Sequence, residues 1–181
     1  MKYFKKLEGK NIYLAPMMVE DAKIYCKWMN DSAVTDGLNK TKDVTTLENE
    51  IEYIEKVNKS GDYAFSIVKK ENDELIGSCS FHQIDWPSRA ATVGIQIGEE
   101  KERGKGYGQD VLKVLLDYGF NELGFHNIQL GVYSFNEQAI ECYKKVGFKE
   151  VGRNREVRWH DGKWHDGITM DILEDEFNKK K

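Results

Sequence analysis

The sequence lacks several features that mark multidomain, secreted or membrane proteins. Its 181 residues contain no linker rich in proline, glycine or serine and no break in composition. We therefore predict a single domain over residues 1–181 with one substantial core. No apolar run approaches the ~20 residues that span a bilayer, and the basic N-terminus is not followed by the apolar segment of a signal peptide. We expect a cytoplasmic protein that has no membrane partner.

The sequence also has few cysteines and no net positive charge. The three cysteines, Cys26, Cys79 and Cys142, are far apart and show no metal-ligand spacing, so we expect reduced, mostly buried thiols. The formal net charge of −4 argues against a nucleic-acid partner, because proteins that bind the phosphate backbone usually carry a basic surface. Mild acidity suits a cationic substrate better.

Hydrophobic patterning predicts an order of helices and strands. Strands are predicted at residues 11–16, 63–69, 75–81, 91–97, 127–133, 149–159 and 163–173. Helices are predicted at 19–30, at 46–59, from 109 to near 123–124, and between a cap at Ser134 or Asn136 and Gly147. The last two strands should form a hairpin about Asp161-Gly162, the most turn-prone dipeptide present. This order predicts an α/β fold (α+β mixed sheet) with a central sheet of about seven strands, helices on both faces and a C-terminal β-hairpin.

Three glycines stand at alternate positions in residues 103–108, directly before a predicted helix. Glycine allows the backbone to approach a ligand closely, and a helix N-terminus directs N–H groups at an anion. The dinucleotide fingerprint needs a third glycine where Gln109 stands. The nucleoside-triphosphate loop needs Ser or Thr after its Gly-Lys pair, where this chain has Gly106. The segment therefore predicts a phosphate-binding loop of another kind.

A second motif lies one strand further on, where residues 136–148 read N-E-Q-A-I-E-C-Y-K-K-V-G-F. With the earlier R-x-x-G-x-G of residues 103–108, it resembles the GNAT family of N-acetyltransferases over nearly the whole chain. Residues 84–86 and 161–166 are similar to the branch that contains ribosomal-protein N-terminal and spermidine acetyltransferases. The resemblance implies a GNAT-like fold and an acyltransferase with acetyl-CoA as donor. Its acceptor partner would be a small-molecule or peptide amine.

The resemblance also implies residue roles. The cofactor-binding set is Gly94, Ile95, Gln96, Ile97, Arg103, Gly104, Lys105, Gly106, Tyr107, Gly108, Asn136, Ala139 and Tyr143. In that family the strand edge pairs with the pantetheine arm and the loop backbone holds the pyrophosphate. Tyr143 is the expected acid for the departing CoA thiolate, with core packing as the alternative. For Asn136, helix capping explains the residue equally well.

The residues leave the general base open. Many relatives place a glutamate where this chain has Thr92, so Asp85, Glu99 and a water relay are the candidates. We name Asp85 with Tyr143 as the catalytic pair. Cys142 adjoins Tyr143, but successive helical positions point about 100° apart. A cysteine nucleophile is therefore not expected, and we predict direct attack in a ternary complex.

The free-energy cost of deprotonating the acceptor amine gives an order of preference among the candidate substrates. At pH 7.4 a polyamine nitrogen of pKa ~10.4 costs about 4 kcal/mol to deprotonate, whereas an α-amine near 7.8 costs less than ~1 kcal/mol. A protein or peptide N-terminus comes first, a polyamine second and an amino sugar or antibiotic amine third. A non-catalytic acyl-CoA sensor is the alternative class. Asp31, Asp36 and Asp85 are the substrate-binding candidates, and solvated surface carboxylates are their plain alternative.

The closing hairpin raises two further possibilities. His160 and His165 flank its turn, but the predicted register puts Lys163 and Arg158 opposite them. Two cations among the ligands disfavour metal binding, so no metal site is assigned. Trp159 and Trp164 mark either core packing or the surface of a homodimer.

Overall fold

The described residues form eight strands and six α-helices, with short 3-10 and π-helical turns between them. The computed structural model describes residues 2–38, 40 and 42–179. The strands are β1 (Leu7–Glu8), β2 (Ile12–Pro16), β3 (Ala64–Lys69), β4 (Leu75–Asp85), β5 (Ala90–Ile97), β6 (Asn127–Tyr133), β7 (Lys149–His160) and β8 (Lys163–Leu173). The helices are α1 (Ala22–Met29), α2 (Ser32–Thr35), α3 (Leu47–Ser60), α4 (Tyr107–Asp117), α5 (Glu137–Val146) and α6 (Glu174–Asn178). In this part of the chain no helix combines the length and apolarity needed to cross a membrane.

The strands are ordered β1-β2-β3-β4-β5-β6-β8-β7 in one sheet. The sheet is mixed, because β5 runs parallel to β6 while β2 and β3 pair antiparallel. The prediction of an α/β fold with a mixed sheet is confirmed, but eight strands replace the expected seven. The additional strand is β1, which has two residues and is too short to show an alternating pattern.

The chain divides into two units, Met1–Phe81 with Gly94–Val111 and His82–Val93 with Leu112–Lys181. In the first, β1 to β4 form an antiparallel series, and α1 packs against α3. Thr46 caps the start of α3, where its hydroxyl accepts a hydrogen bond from Asn49 N at 3.2 Å. The core of this unit is formed by Tyr3, Tyr13, Ala15, Met17, Ala22, Tyr25, Trp28, Val34, Ile54, Val57, Val68 and Leu75. A single domain over residues 1–181 stays a prediction.

In the second unit, residues 90–92 of β5 pair in parallel with residues 127–129 of β6. The other edge of β6 pairs antiparallel with β8, and β8 pairs with β7. The helix α5 begins after Asn136, whose side-chain oxygen accepts a hydrogen bond from Ala139 N at 3.2 Å. Gly147 ends it, as predicted. Ser134 is not the cap, because its hydroxyl accepts a hydrogen bond from Asp166 N at 3.1 Å.

The C-terminal hairpin agrees with its prediction in extent and register. Asp161 and Gly162 both have positive φ, 47° and 76°, as a two-residue turn of the favoured hand requires. The predicted pairs Arg158 with His165 and His160 with Lys163 are present. Among the described residues no cluster of His, Cys, Asp and Glu could hold a metal ion.

Trp159 and Trp164 face each other across the hairpin. Their ring centroids are 5.3 Å apart in an edge-on arrangement. The two residues are 56% and 55% exposed, so neither is a core residue of the described chain. A homodimer surface at this position stays a prediction.

Candidate active site

Two glycines shape the loop before α4. Gly104 and Gly106 have φ values of +75° and +88°, a left-handed conformation that side chains with a Cβ rarely adopt. The first backbone hydrogen bond of the helix runs from Asp110 N to Gly106 O at 3.2 Å, so the preceding N–H groups have no intrahelical acceptor. A Cβ at Gly106 would meet no atom within 4 Å. N–H groups without an intrahelical acceptor at a helix N-terminus are suited to binding an anion such as a pyrophosphate.

The Arg103 side chain donates to three backbone carbonyls. Its Nε lies 3.0 Å from Ile97 O, its Nη1 lies 3.1 Å from Ala33 O and its Nη2 lies 3.4 Å from Gly98 O. These contacts join the start of the loop to the end of β5 and to the first turn of α2. The guanidinium therefore holds the loop in place, and a direct contact with the cofactor stays a prediction.

Lys105 belongs to a network of charges around two buried side chains, Lys69 and Glu102. Its Nζ lies 3.1 Å from Glu102 Oε2, while Lys69 Nζ lies 3.4 Å from the other oxygen of Glu102. Lys69 also pairs with Glu71 at 2.8 Å and Glu74 at 3.1 Å. Glu102 and Lys69 are only 4% and 5% exposed. Desolvation opposes the ionised form of Glu102, but the ammonium groups of Lys105 and Lys69 hold the pKa of its carboxyl below the usual range.

Asp110 fixes the first turn of α4 to the turn between β1 and β2. Its two oxygens accept hydrogen bonds from Lys10 N at 2.8 Å and Asn11 N at 2.6 Å. A Cβ at Gly9 would lie 2.7 Å from Asp110 Oδ1, so this approach requires glycine. A carboxylate in the first helical turn is also favourable for the helix dipole. Both basic side chains of the loop and the start of its helix are thus held by partners within the first unit.

The second half of β5, Gly94–Ile97, has the place in its strand that the resemblance assigns to the pantetheine-binding edge. Beyond it, Gly98 N donates to Ile76 O at 2.9 Å and so ties this end of the strand to β4. Among the described residues, the ladder of β5 with β6 includes none after Thr92. Backbone groups of Gly94–Ile97 therefore lie outside that ladder, as strand addition by a ligand requires.

Tyr143 lies in the second turn of α5, in the second unit. Its ring meets that of Phe148 edge-on, with centroids 6.0 Å apart, and its carbonyl accepts hydrogen bonds from the backbone N–H groups of Gly147 and Phe148. Burial raises the pKa of the Tyr143 hydroxyl well above its usual value. The hydroxyl is therefore protonated at neutral and moderately alkaline pH, and it is a hydrogen-bond donor there.

Asp85 ends β4 and organises the turn that follows. Its carboxylate accepts hydrogen bonds from Ser88 Oγ at 2.6 Å and Ser88 N at 3.2 Å. These bonds, the hydroxyl first, lower the pKa of Asp85. A lowered pKa weakens a base, so this environment does not favour Asp85 as the general base. The other carboxylate candidate, Glu99, lies in the first unit and accepts a hydrogen bond from Trp28 Nε1 at 2.9 Å.

Thr92 is hydrogen-bonded to two neutral side chains. Its hydroxyl donates to Gln83 Oε1 at 3.1 Å and accepts from Gln129 Nε2 at 3.3 Å. Gln83 has a φ of +50°, which is unusual for a residue with a side chain. Its neighbour His82 was not predicted as a site residue, and desolvation lowers the pKa of its imidazole. The lowered pKa keeps this imidazole in the neutral form that can accept a proton, but it also makes the imidazole a weaker base.

The remaining candidates are an acidic pair and a cysteine. Asp31 is the N-cap of α2, with its Oδ1 2.9 Å from Ala33 N, and Asp36 begins a 3-10 turn that ends at Leu38. Burial raises the pKa of the Cys142 thiol, which disfavours the thiolate that a covalent mechanism needs. Cys26 and Cys142 are partly exposed and Cys79 is buried; all three are free thiols.

Comparison with known proteins supports the class of enzyme that the fold and loop indicate, an acyl-CoA-dependent transferase. Residues 11–149 match the family model of the acetyltransferase (GNAT) domain, and the chain belongs to that family. The Bacillus licheniformis protein named uncharacterized N-acetyltransferase p20 is 32% identical over 153 residues, 83% of this chain and 85% of that protein. The Bacillus subtilis putative ribosomal N-acetyltransferase YdaF is 30% identical over 107 residues, 59% of this chain and 58% of that protein.

A solved structure shows the same fold. Spermidine N-acetyltransferase from Vibrio cholerae in complex with CoA and spermine has a TM-score of 0.84 and 23% identity, and the likeness covers 93% of this chain and 98% of that chain. The predicted GNAT resemblance is confirmed. The protein is an N-acetyltransferase, and acetyl-CoA is its acetyl donor.

Proposed function

We propose that the enzyme acetylates the N-terminal α-amine of a peptide or protein by direct attack in a ternary complex. The position of Thr92 carries this proposal. Thr92 and its partners Gln83 and Gln129 are neutral, whereas the family resemblance implies a glutamate at this position in many members. Without that carboxylate, an amine that loses its proton easily is the better substrate. The name of the relative YdaF, a putative ribosomal N-acetyltransferase, agrees with this class.

In the proposed mechanism, the loop at residues 104–108 binds the pyrophosphate through backbone N–H groups, and the edge of Gly94–Ile97 binds the pantetheine arm. Asn136 and Ala139 are proposed cofactor contacts at the start of α5. The hydroxyl of Tyr143 stabilises the departing thiolate by a hydrogen bond. Complete proton transfer is unfavourable, because the raised pKa of Tyr143 lies above the ~8.5 of a model thiol. The proton that the thiolate finally gains therefore comes from the attacking amine.

A polyamine is the second candidate acceptor. The Vibrio cholerae protein of the same fold binds spermine together with CoA, and Asp31 and Asp36 would attract a polycation. Asp31 is exposed, but one of its oxygens already caps α2. We therefore rank a polyamine below an α-amine as the acceptor, and an experiment distinguishes between the two.

The test is release of free CoA from acetyl-CoA at pH 7.4 over a panel of amines. The panel contains a lysine-containing peptide with a free N-terminus, the same peptide with a formylated N-terminus, spermidine, spermine and glucosamine. We expect kcat/KM for the free peptide to exceed that for the formylated peptide and for spermidine by at least ~10-fold. A preference for spermidine of that size would overturn the proposal in favour of the polyamine. Calorimetric binding of CoA without turnover on any amine would indicate a sensor instead.

A further inference from the structure

The segment between β5 and the glycine loop, residues 97–103, contacts α1 and α2 at three points. Gly98 packs against the ring of the buried Trp28, since a Cβ at Gly98 would lie 2.1 Å from a carbon of that ring. Glu99 Oε1 accepts a hydrogen bond from Trp28 Nε1 at 2.9 Å. Arg103 reaches Ala33 O at 3.1 Å. The first two contacts fix the segment on α1, and the third fixes it on α2.

The helix α2 depends on such tertiary contacts. It has four residues, too few for a helix that is stable alone in water. Asp31 caps it, and Val34 and Thr35 are buried at 7% and 2% exposure. Arg103 is the residue that joins α2 to the donor loop, because its guanidinium holds Ala33 O and, on the same planar group, Ile97 O and Gly98 O.

We propose that Arg103 is a positioning residue that couples the acetyl-CoA loop to α2. The proposal rests on assignment of the donor to Gly94–Ile97 and residues 104–108, which flank Arg103 on both sides. A ligand that immobilises both flanks also immobilises the guanidinium, and the guanidinium then stabilises the first turn of α2. By thermodynamic reciprocity, any ligand that orders α2 raises the affinity for acetyl-CoA by the same factor.

As a consequence, donor binding alters the stability of the segment that carries Asp31 and Asp36, and ordering of that segment alters the affinity for the donor. This coupling does not depend on which amine is acetylated. A rigid fork with several donors is needed, because one side chain must satisfy three carbonyls at once. Lysine at this position has a single ammonium on a flexible stem and would restore part of the coupling.

Hydrogen exchange of the full-length protein with CoA as the probe tests this inference. We expect saturating CoA to slow exchange of the peptide that covers residues 32–38 by at least ~5-fold in the wild type, the lower end of ordinary allosteric coupling. In Arg103→Gln the slowing should fall below ~2-fold, and Arg103→Lys should be intermediate. Lys101→Gln is the matched control: it removes a charge from the segment between β5 and the loop but leaves the three carbonyl contacts, so its slowing should match the wild type.

Calorimetry sets the CoA concentration at saturation for each variant, and exchange across β6 and β8 without CoA checks that each variant is folded. Wild-type protection of residues 32–38 in a folded, saturated Arg103→Gln would overturn the proposal. So would unchanged exchange of these residues in the saturated wild type. Neither result depends on the amine panel, so failure of the coupling and failure of the acceptor assignment are separate outcomes.

Discussion

In residues 97–110, most of the charged side chains have a partner that the structure identifies, whereas the pKa of Tyr143 in α5 is set by burial. Glu102 and Asp110 are held by ion pairs or backbone N–H groups. The hydroxyl of Tyr143 has its pKa raised mainly by desolvation. The first region uses direct contacts to hold a backbone shape. The second uses the low polarity of its surroundings to keep one proton in place.

This difference predicts different consequences of mutation. Changes in the donor loop should alter stability and the KM for acetyl-CoA, because they loosen a backbone that binds a ligand before and after the chemical step. Changes at Tyr143 should alter kcat and leave donor binding intact, since we propose that its hydroxyl acts on charge that develops in the transition state.

The largest effect is expected for Tyr143→Phe. Loss of the hydroxyl removes the donor to the leaving thiolate, so kcat should fall about 100-fold, while KM for acetyl-CoA should stay within ~2-fold. Steady-state kinetics on the best amine of the panel measure both. Tyr133→Phe, which removes a hydroxyl from β6 in the same unit, is the control and should keep wild-type kcat. Full activity of Tyr143→Phe would show that the tyrosine is only a packing residue.

The pH profile sharpens this point. The active form of Tyr143 is neutral, and its pKa is raised, so the neutral form persists past the usual value of about 10. We expect kcat at saturating amine to show no falling limb below pH 9.5. A falling limb centred near pH 8 to 9 that disappears in Tyr143→Phe would contradict the assignment.

The second largest effect is expected for Glu102→Gln in the donor region. It removes the buried carboxylate that lies between Lys69 and Lys105. Loss of one partner from a buried ion pair is costly, although the buried Lys69 keeps Glu71 and Glu74. We expect the free energy of unfolding to fall by about 2 kcal/mol and KM for acetyl-CoA to rise. Glu71→Gln removes another carboxylate from the same Lys69, but its side chain is 69% exposed, so it should cost under ~0.5 kcal/mol. Equal losses of unfolding free energy for Glu102→Gln and Glu71→Gln in urea would refute the distinction between the buried and the exposed carboxylate.

These two regions also differ in how far the sequence predicted them. The glycine loop, the Asn136 cap and the hairpin register follow from rules that act within a few residues, and each appears in the structure. The Lys69–Glu102 pair spans 33 residues and the Asp110–Lys10 contact spans 100. Such contacts depend on which strands become neighbours and in what register, which local patterns do not encode. The strand β1 and the short helix α2 were missed because few residues give little periodicity.

Packing of Gly98 against Trp28 gives a smaller effect within the donor region. In Gly98→Ala the new methyl group would lie 2.1 Å from a ring carbon of a tryptophan that is 1% exposed, and a rigid buried ring cannot move aside freely. We expect a loss of about 1.5 kcal/mol in unfolding free energy. Gly131→Ala in β6 is the control, because a Cβ there meets no atom within 4 Å. A thermal or urea midpoint of Gly98→Ala equal to that of the control would show that the close approach is not a constraint.

The smallest effect concerns acid stability. The ammonium groups of Lys101 at 2.7 Å and Lys69 at 3.1 Å lower the pKa of Glu74 from 4.5 to about 2. Because the folded pKa lies below the unfolded one, the stabilisation is fully present above pH 4.5 and is lost as the pH falls towards 2. Partial exposure of Glu74 screens these pairs, so we expect Glu74→Gln to cost about 1 kcal/mol at pH 7. Urea unfolding from pH 7 to pH 3 should show that the difference in unfolding free energy between variant and wild type shrinks below pH 4.5.

The control is Glu55→Gln, in the exposed i,i+4 pair with Lys59 on α3. It should cost no more than a few tenths of a kcal/mol at pH 7. A difference for Glu74→Gln that stayed constant down to pH 3 would mean that the residue acts through packing and not through its charge.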